Sequence, residues 1–112
     1  MIMVIMAKKQ PFALVYAAET RQHLRSIETK HHALIQSEIE VQLLFQPDVE
    51  TRNRKPLLRP VAFGAEWELR LGPDNRFRVF YQVKSDTRSV LVLAIGIKER
   101  NRLRIGGEEF EQ

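Results

Sequence analysis

The stretch WELRLGPDNRFRVFYQV, residues 67–83, decides the fold. Trp67, Leu69 and Leu71 alternate with Glu68 and Arg70, and Phe77, Val79, Tyr81 and Val83 alternate with Arg76, Arg78, Phe80 and Gln82. Gly-Pro-Asp-Asn between the two runs is a turn signal. Two alternating runs around a turn predict an antiparallel hairpin with one apolar and one polar face. Three arginines (Arg70, Arg76 and Arg78) then stand where Thr or Ser would serve a plain hairpin.

Parity restricts the register. Opposed residues of an antiparallel pair point to the same face. A four-residue loop, 72–75, would oppose Leu69 to Arg78 and mix the faces. A loop of three or of five residues keeps them separate. With three, Arg70 opposes Arg76, and Glu68 opposes Arg78 as an ion pair. With five, Arg70 opposes Arg78, a like-charge pair expected where an anion visits. Either register puts at least two arginines on one sheet face.

Working outward, VLVLAIGI (residues 90–97) is apolar on both sides, as a central strand should be. Upstream, FALVY at 12–16 predicts a first strand. Leu24, Ile27 and His31 share a helical face over 17–32. Ile35, Ile39 and Leu43 form a second stripe, which Pro47 stops. Residues 47–60, with three prolines and four cations, read as a long basic loop. The expected class is α+β: an N-terminal strand, an αα-hairpin and a three-stranded antiparallel meander, with the helices on one face of a twisted sheet. The 112 residues suit one domain, with residues 1–10 as an N-terminal extension and 105–112 as an acidic tail. Such a tail reads first as a solvated terminus and second as a mimic, in cis, of a neutralising acidic segment.

The net charge of +4 is unevenly placed: residues 1–49 sum to zero, 50–104 to +7 and 105–112 to −3. Twelve of the eighteen cations are arginine, which favours bidentate contacts to phosphate. A polyanionic partner is expected. The absence of cysteine removes disulfides, thiolate metal sites and a cysteine nucleophile, and fits a reducing cytoplasm. MIMVIM, residues 1–6, is too short for a signal-peptide core or a membrane span. His23, His31 and His32 lie on the helical segments without a paired carboxylate motif, so no metal site is expected.

The order β-α-α-β-β-β resembles the RelE/ParE superfamily, the toxins of type II toxin–antitoxin modules. So do WELRL, a turn, RFRVFYQV, the strand end AIGIKERNR, and ETRNRK ahead of the sheet. The resemblance covers roughly residues 11–107. It implies a microbial RNase-type fold, a cognate antitoxin as partner, and, for the RelE branch, metal-independent cleavage of mRNA in the ribosomal A site with no cofactor. In that chemistry the 2′-hydroxyl attacks the neighbouring phosphate and leaves a 2′,3′-cyclic phosphate. By motif the catalytic positions fall on Arg70, Arg78, Lys98 and Arg100. Arg52, Arg54, Lys55, Arg59, Arg76, Arg102 and Arg104 are the candidate RNA contacts, with Phe80 either a surface for base stacking or a side chain covered by the loop. Glu68 stands where the family carries a basic residue, which makes it an alternative general base. The terminal tyrosine of well-known RelE-type enzymes would align near Arg104. These departures keep other readings open: a non-catalytic toxin acting on another target, as the ParE branch does on DNA gyrase, or an inactive basic module in an autorepressing complex.

Overall fold

The computed structural model describes residues 10–59 and 62–110. The expected N-terminal extension therefore lies outside the described residues, save Gln10. The elements are β1 (Ala13–Tyr16), α1 (Thr20–Arg25), α2 (His32–Leu43), β2 (Arg54–Pro56), β3 (Trp67–Leu71), β4 (Phe77–Lys84), β5 (Ser89–Glu99), β6 (Arg102–Ile105) and β7 (Glu108–Phe110). One sheet runs β2-β3-β4-β5-β6-β7, all antiparallel neighbours, and β1 pairs with β5 in parallel. The class is α+β with the helices on one side, as the sequence pattern implies.

The β3–β4 hairpin takes the five-residue loop: Leu71 opposes Phe77 and Arg70 opposes Arg78. Gly72 opens the loop at φ 80°, where a Cβ would come within 2.5 Å of the Phe77 ring, so only glycine fits there.

The face toward the helices carries the main core. Ile35, Ile39 and Leu43 of α2 meet Leu69, Leu71, Phe77, Val79, Tyr81, Val90, Val92 and Ile95. The stripe at i, i+4, i+8 is thus the buried side of α2, as its spacing predicts. Tyr81 ends this core with a satisfied polar group, its hydroxyl donating to the Pro47 carbonyl at 2.6 Å. Burial raises the Tyr81 pKa well above the ordinary phenol range.

β5 is the central strand, and both of its faces are covered. Its pairing with β4 slips by one residue between Phe80 and Tyr81, which is a bulge. Beyond that slip Ala94 turns to the far face and joins Phe80, Ala65, Leu103 and Ile105 in a second cluster, flanked by Leu57, Leu93 and Phe110. Part of the far face is therefore apolar and packed against Leu57 and Ala65.

Three elements depart from the sequence expectation. The basic loop contains the short strand β2, which pairs with β3. The segment after Gly96 is not a free basic arm but the end of β5 and then β6. The acidic tail forms β7 against β6. These strands are three or four residues long, too short for alternation to reveal them.

Candidate nucleic-acid interface

The register of β3 and β4 builds the charged half of the far face. Glu68, Arg70 and Arg78 share that face, since Glu68 opposes Phe80 and Arg70 opposes Arg78. The like-charge pair does not stand alone. Glu68 Oε1 accepts from Arg70 Nε at 3.0 Å, and Glu68 Oε2 accepts from Arg78 Nη1 at 3.2 Å. Arg78 Nε donates to the carbonyl of Asn75 in the hairpin loop at 2.9 Å. One carboxylate thus bridges two guanidiniums, and the trio keeps a formal charge of +1. Burial is graded across it: the side chains of Glu68 and Arg78 are 2% and 9% exposed, and that of Arg70 is 38% exposed. Only Arg70 is readily reached from solvent.

The surroundings add cations. Lys98 lies on the same face, two residues beyond Gly96, which opposes Arg78. It is half-buried, and among the described residues no carboxylate reaches it within 4 Å. Lys55 opposes Glu68 across β2 and β3, and its ammonium stands 3.8 Å from Glu50. Asn53 clamps the basic loop to β3: its carbonyl takes the Arg70 N–H and its side-chain amide donates to the Arg70 carbonyl, both at 2.8 Å. This places Arg52, exposed, beside the Arg70 end of the strand.

Other expected contacts lie elsewhere. Arg54 faces the helix side, because it opposes Leu69. Its buried guanidinium donates to the carbonyls of Val49 (2.8 Å) and Gln42 (3.0 Å) and to Gln42 Oε1 (2.7 Å). It ties the loop to the end of α2 and is not available to RNA. Phe80 is 2% exposed and clusters with Ala65, Ala94 and Leu57, so it cannot stack on a base. Arg76 sits in the hairpin loop, over the Phe77 ring at 5.4 Å and 4.0 Å from Glu99. Arg59 is exposed and lies beyond the end of β2, outside the paired residues. Arg102 and Arg104 lie on the opposite face of the sheet, since Arg104 opposes Ile97 and Ile97 opposes Phe77 of the main core. Arg100 occupies the β5–β6 turn. The thirteen expected residues therefore do not form one cluster.

The histidines take structural places in the helical layer. His23 Nδ1 accepts the Ile95 N–H at 3.3 Å, and burial lowers its pKa against a smaller opposing pull from Glu19. The His31 ring packs on Phe77 at 5.1 Å, and His32 Nε2 bonds the Ile27 carbonyl at 2.8 Å. No group of metal-ligating side chains occurs among the described residues.

Sequence reasoning did not single out Asn53 and Asn75, which position Arg70 and Arg78 through main-chain bonds. It weighed Glu68 against Arg78 only as directly opposed residues. The signal for the bridge was present, because residues at i and i+2 share a face and diagonal cross-strand neighbours touch.

The fold has a counterpart among solved structures. A chain of the crystal structure of the toxin–antitoxin complex RelBE2 from Mycobacterium tuberculosis superposes with a TM-score of 0.61 at 20% identity, over 79% of this chain and 99% of that one. The architecture is thus a RelE-like fold. No protein-family model and no curated protein matches the sequence.

Proposed function

We propose that this chain is the toxin of a toxin–antitoxin pair, acting as a metal-independent endoribonuclease on ribosome-bound mRNA. One observation carries the reading. On the sheet face away from the helices, Arg70 and Arg78 both bond the carboxylate of Glu68 near the hairpin turn, and Lys98 lies on the same face. The likeness in fold to a chain of a toxin–antitoxin complex supports it.

The chemistry can be assigned to these groups. An incoming phosphate takes the exposed Arg70 away from Glu68, while Arg78 keeps its hold on the carboxylate. The 2′-hydroxyl attacks the adjacent phosphorus as Glu68 accepts its proton. Arg70 stabilises the charge of the phosphorane. The P–O5′ bond breaks, Lys98 protonates the departing oxygen, and the products are a 2′,3′-cyclic phosphate and a 5′-hydroxyl. Guanidinium groups stay protonated and serve charge, not proton transfer. The partner expected to silence this face is an antitoxin bearing an acidic segment.

A second reading rests on the same carboxylate. Glu68 already neutralises much of the charge of Arg70 and Arg78, which suits a toxin that binds its target without cutting it. Induced expression with primer extension on cellular mRNA separates the two. New 5′ ends that vanish with Arg70→Ala and Lys98→Ala support the enzyme. Growth arrest with intact mRNA supports the binder.

A further inference from the structure

The opposite face holds a second basic feature, which the proposed active site does not use. An open groove of about 740 Å³ is lined by Glu99, Arg100, Arg102 and Arg104. Its one carboxylate, Glu99, lies 4.0 Å from Arg76, and the three arginines make up the rest of the groove's lining. Arg102 and Arg104 are two residues apart on β6 and therefore project to the same side. Arg100 and Asn101 form the tight turn, both in the left-handed region at φ 51° and 65°. Such a turn favours Asn-Gly, yet an arginine occupies its first position. It stands at the rim where Lys98 leaves on one face and Arg102 on the other.

On the β7 side the groove meets an acid. Glu109 opposes Arg104 in the β6–β7 register, and its Oε2 lies 3.4 Å from Arg102 Nη1. Both partners are substantially exposed, at 63% and 47% of their side-chain areas, so the pair is held weakly and is open to competition. The last strand of the described chain thus lays a carboxylate against the arginines that an external anion would use.

We propose that the Arg100–Arg102–Arg104 groove is a second binding site, for the phosphate backbone of single-stranded nucleic acid, and that Glu109 of β7 competes for it in cis. The ligand class rests on the reading of this chain as a protein that acts on RNA. The site itself is on the other side of the sheet from Arg70 and Arg78. Three guanidiniums along one groove suit successive phosphates, and displacement of Glu109 adds a cation to the contact.

The test is fluorescence anisotropy with a labelled single-stranded deoxyoligonucleotide, which lacks the 2′-hydroxyl that cleavage needs. Glu109→Gln tightens binding about two- to fivefold, the range of an exposed ion pair. The double variant Arg102→Ala/Arg104→Ala weakens binding about tenfold at low salt, flattens the slope of log affinity against log salt by about 1.4, and makes Glu109→Gln silent. Amide NMR shifts of the unaltered protein on titration fall on residues 99–104. Unchanged affinity in these variants, or shifts confined to the hairpin of Arg70 and Arg78, overturns the proposal. Cleavage of mRNA is scored separately. Its absence with groove binding intact removes the nuclease and leaves this site, and its presence with unaltered groove variants does the reverse.

Discussion

Glu68 Oε2 stands 3.2 Å from Arg78 Nη1, and both side chains are almost removed from solvent. The pair explains how two arginines can oppose each other across β3 and β4. The counter-charge comes from the same strand as Arg70, two residues away, not only from a visiting anion. Breaking such a pair strands a buried charge. Glu68→Ala should lower stability by about 3–5 kcal/mol, measured by urea denaturation, whereas Glu68→Leu with Arg78→Met should be close to neutral. A small effect of Glu68→Ala would show that Arg78 finds water once its partner is gone.

Arg54 is a cation of the basic loop that serves structure. Arg54→Ala removes three hydrogen bonds to Val49 and Gln42 and should cost about 2–4 kcal/mol, with Arg54→Lys failing to restore it because an ammonium cannot span the same acceptors. Nucleic-acid affinity per folded molecule should not change. A selective loss of affinity with unaltered stability would return Arg54 to the binding surface.

Phe80 should behave as a core residue. Phe80→Ala is expected to destabilise by about 3–5 kcal/mol, and Phe80→Leu by less than about 1.5 kcal/mol, with anisotropy against RNA unaffected by the leucine variant. Weaker RNA binding by Phe80→Leu would mean that the ring is reached by RNA after all.

His23 gives the fold an acid-sensitive point. Its folded pKa lies below the ordinary value of 6.5, chiefly through burial. The unfolded chain then binds the proton more readily, so the contribution is present above that value and is lost as pH falls through the folded pKa. Protonation also removes the acceptor that Nδ1 offers to the Ile95 N–H. Urea midpoints should drop between pH 7.5 and 5, and His23→Gln should flatten that drop. An equal slope in the variant would assign the acid sensitivity to other groups.

The hairpin was legible because period-two alternation on both strands forces an even register, and the choice of a five-residue loop then followed from Gly72, whose φ of 80° and close approach to Phe77 only the structure displays. The stripe of Ile35, Ile39 and Leu43 was legible for the same reason at helical period. The site was less so. Charge counts cannot tell the buried Arg54 from the exposed Arg52, because each lies in the same polar run and only pairing with Leu69 turns Arg54 inward. Nor can they divide Lys98 from Arg102. Both follow Gly96 closely, but the two-residue turn at Arg100 and Asn101 folds β6 back so that Arg102 shares the core-side parity of Ile97. Phe80 fitted either a stacking surface or a covered side chain, and alternation alone could not choose between them; its packing with Ala65 and Leu57 does.

Arg70, Lys98 and the Glu68–Arg78 pair are the groups proposed to cut RNA. The most direct measurement is cleavage of a defined mRNA on programmed ribosomes, with the new 3′ end examined for a 2′,3′-cyclic phosphate. That product is expected with the unaltered protein, and a fall of about a hundredfold or more with Arg70→Ala while the protein stays folded. Intact mRNA with the unaltered protein, or cleavage that Arg70→Ala leaves at full rate, would contradict the proposal.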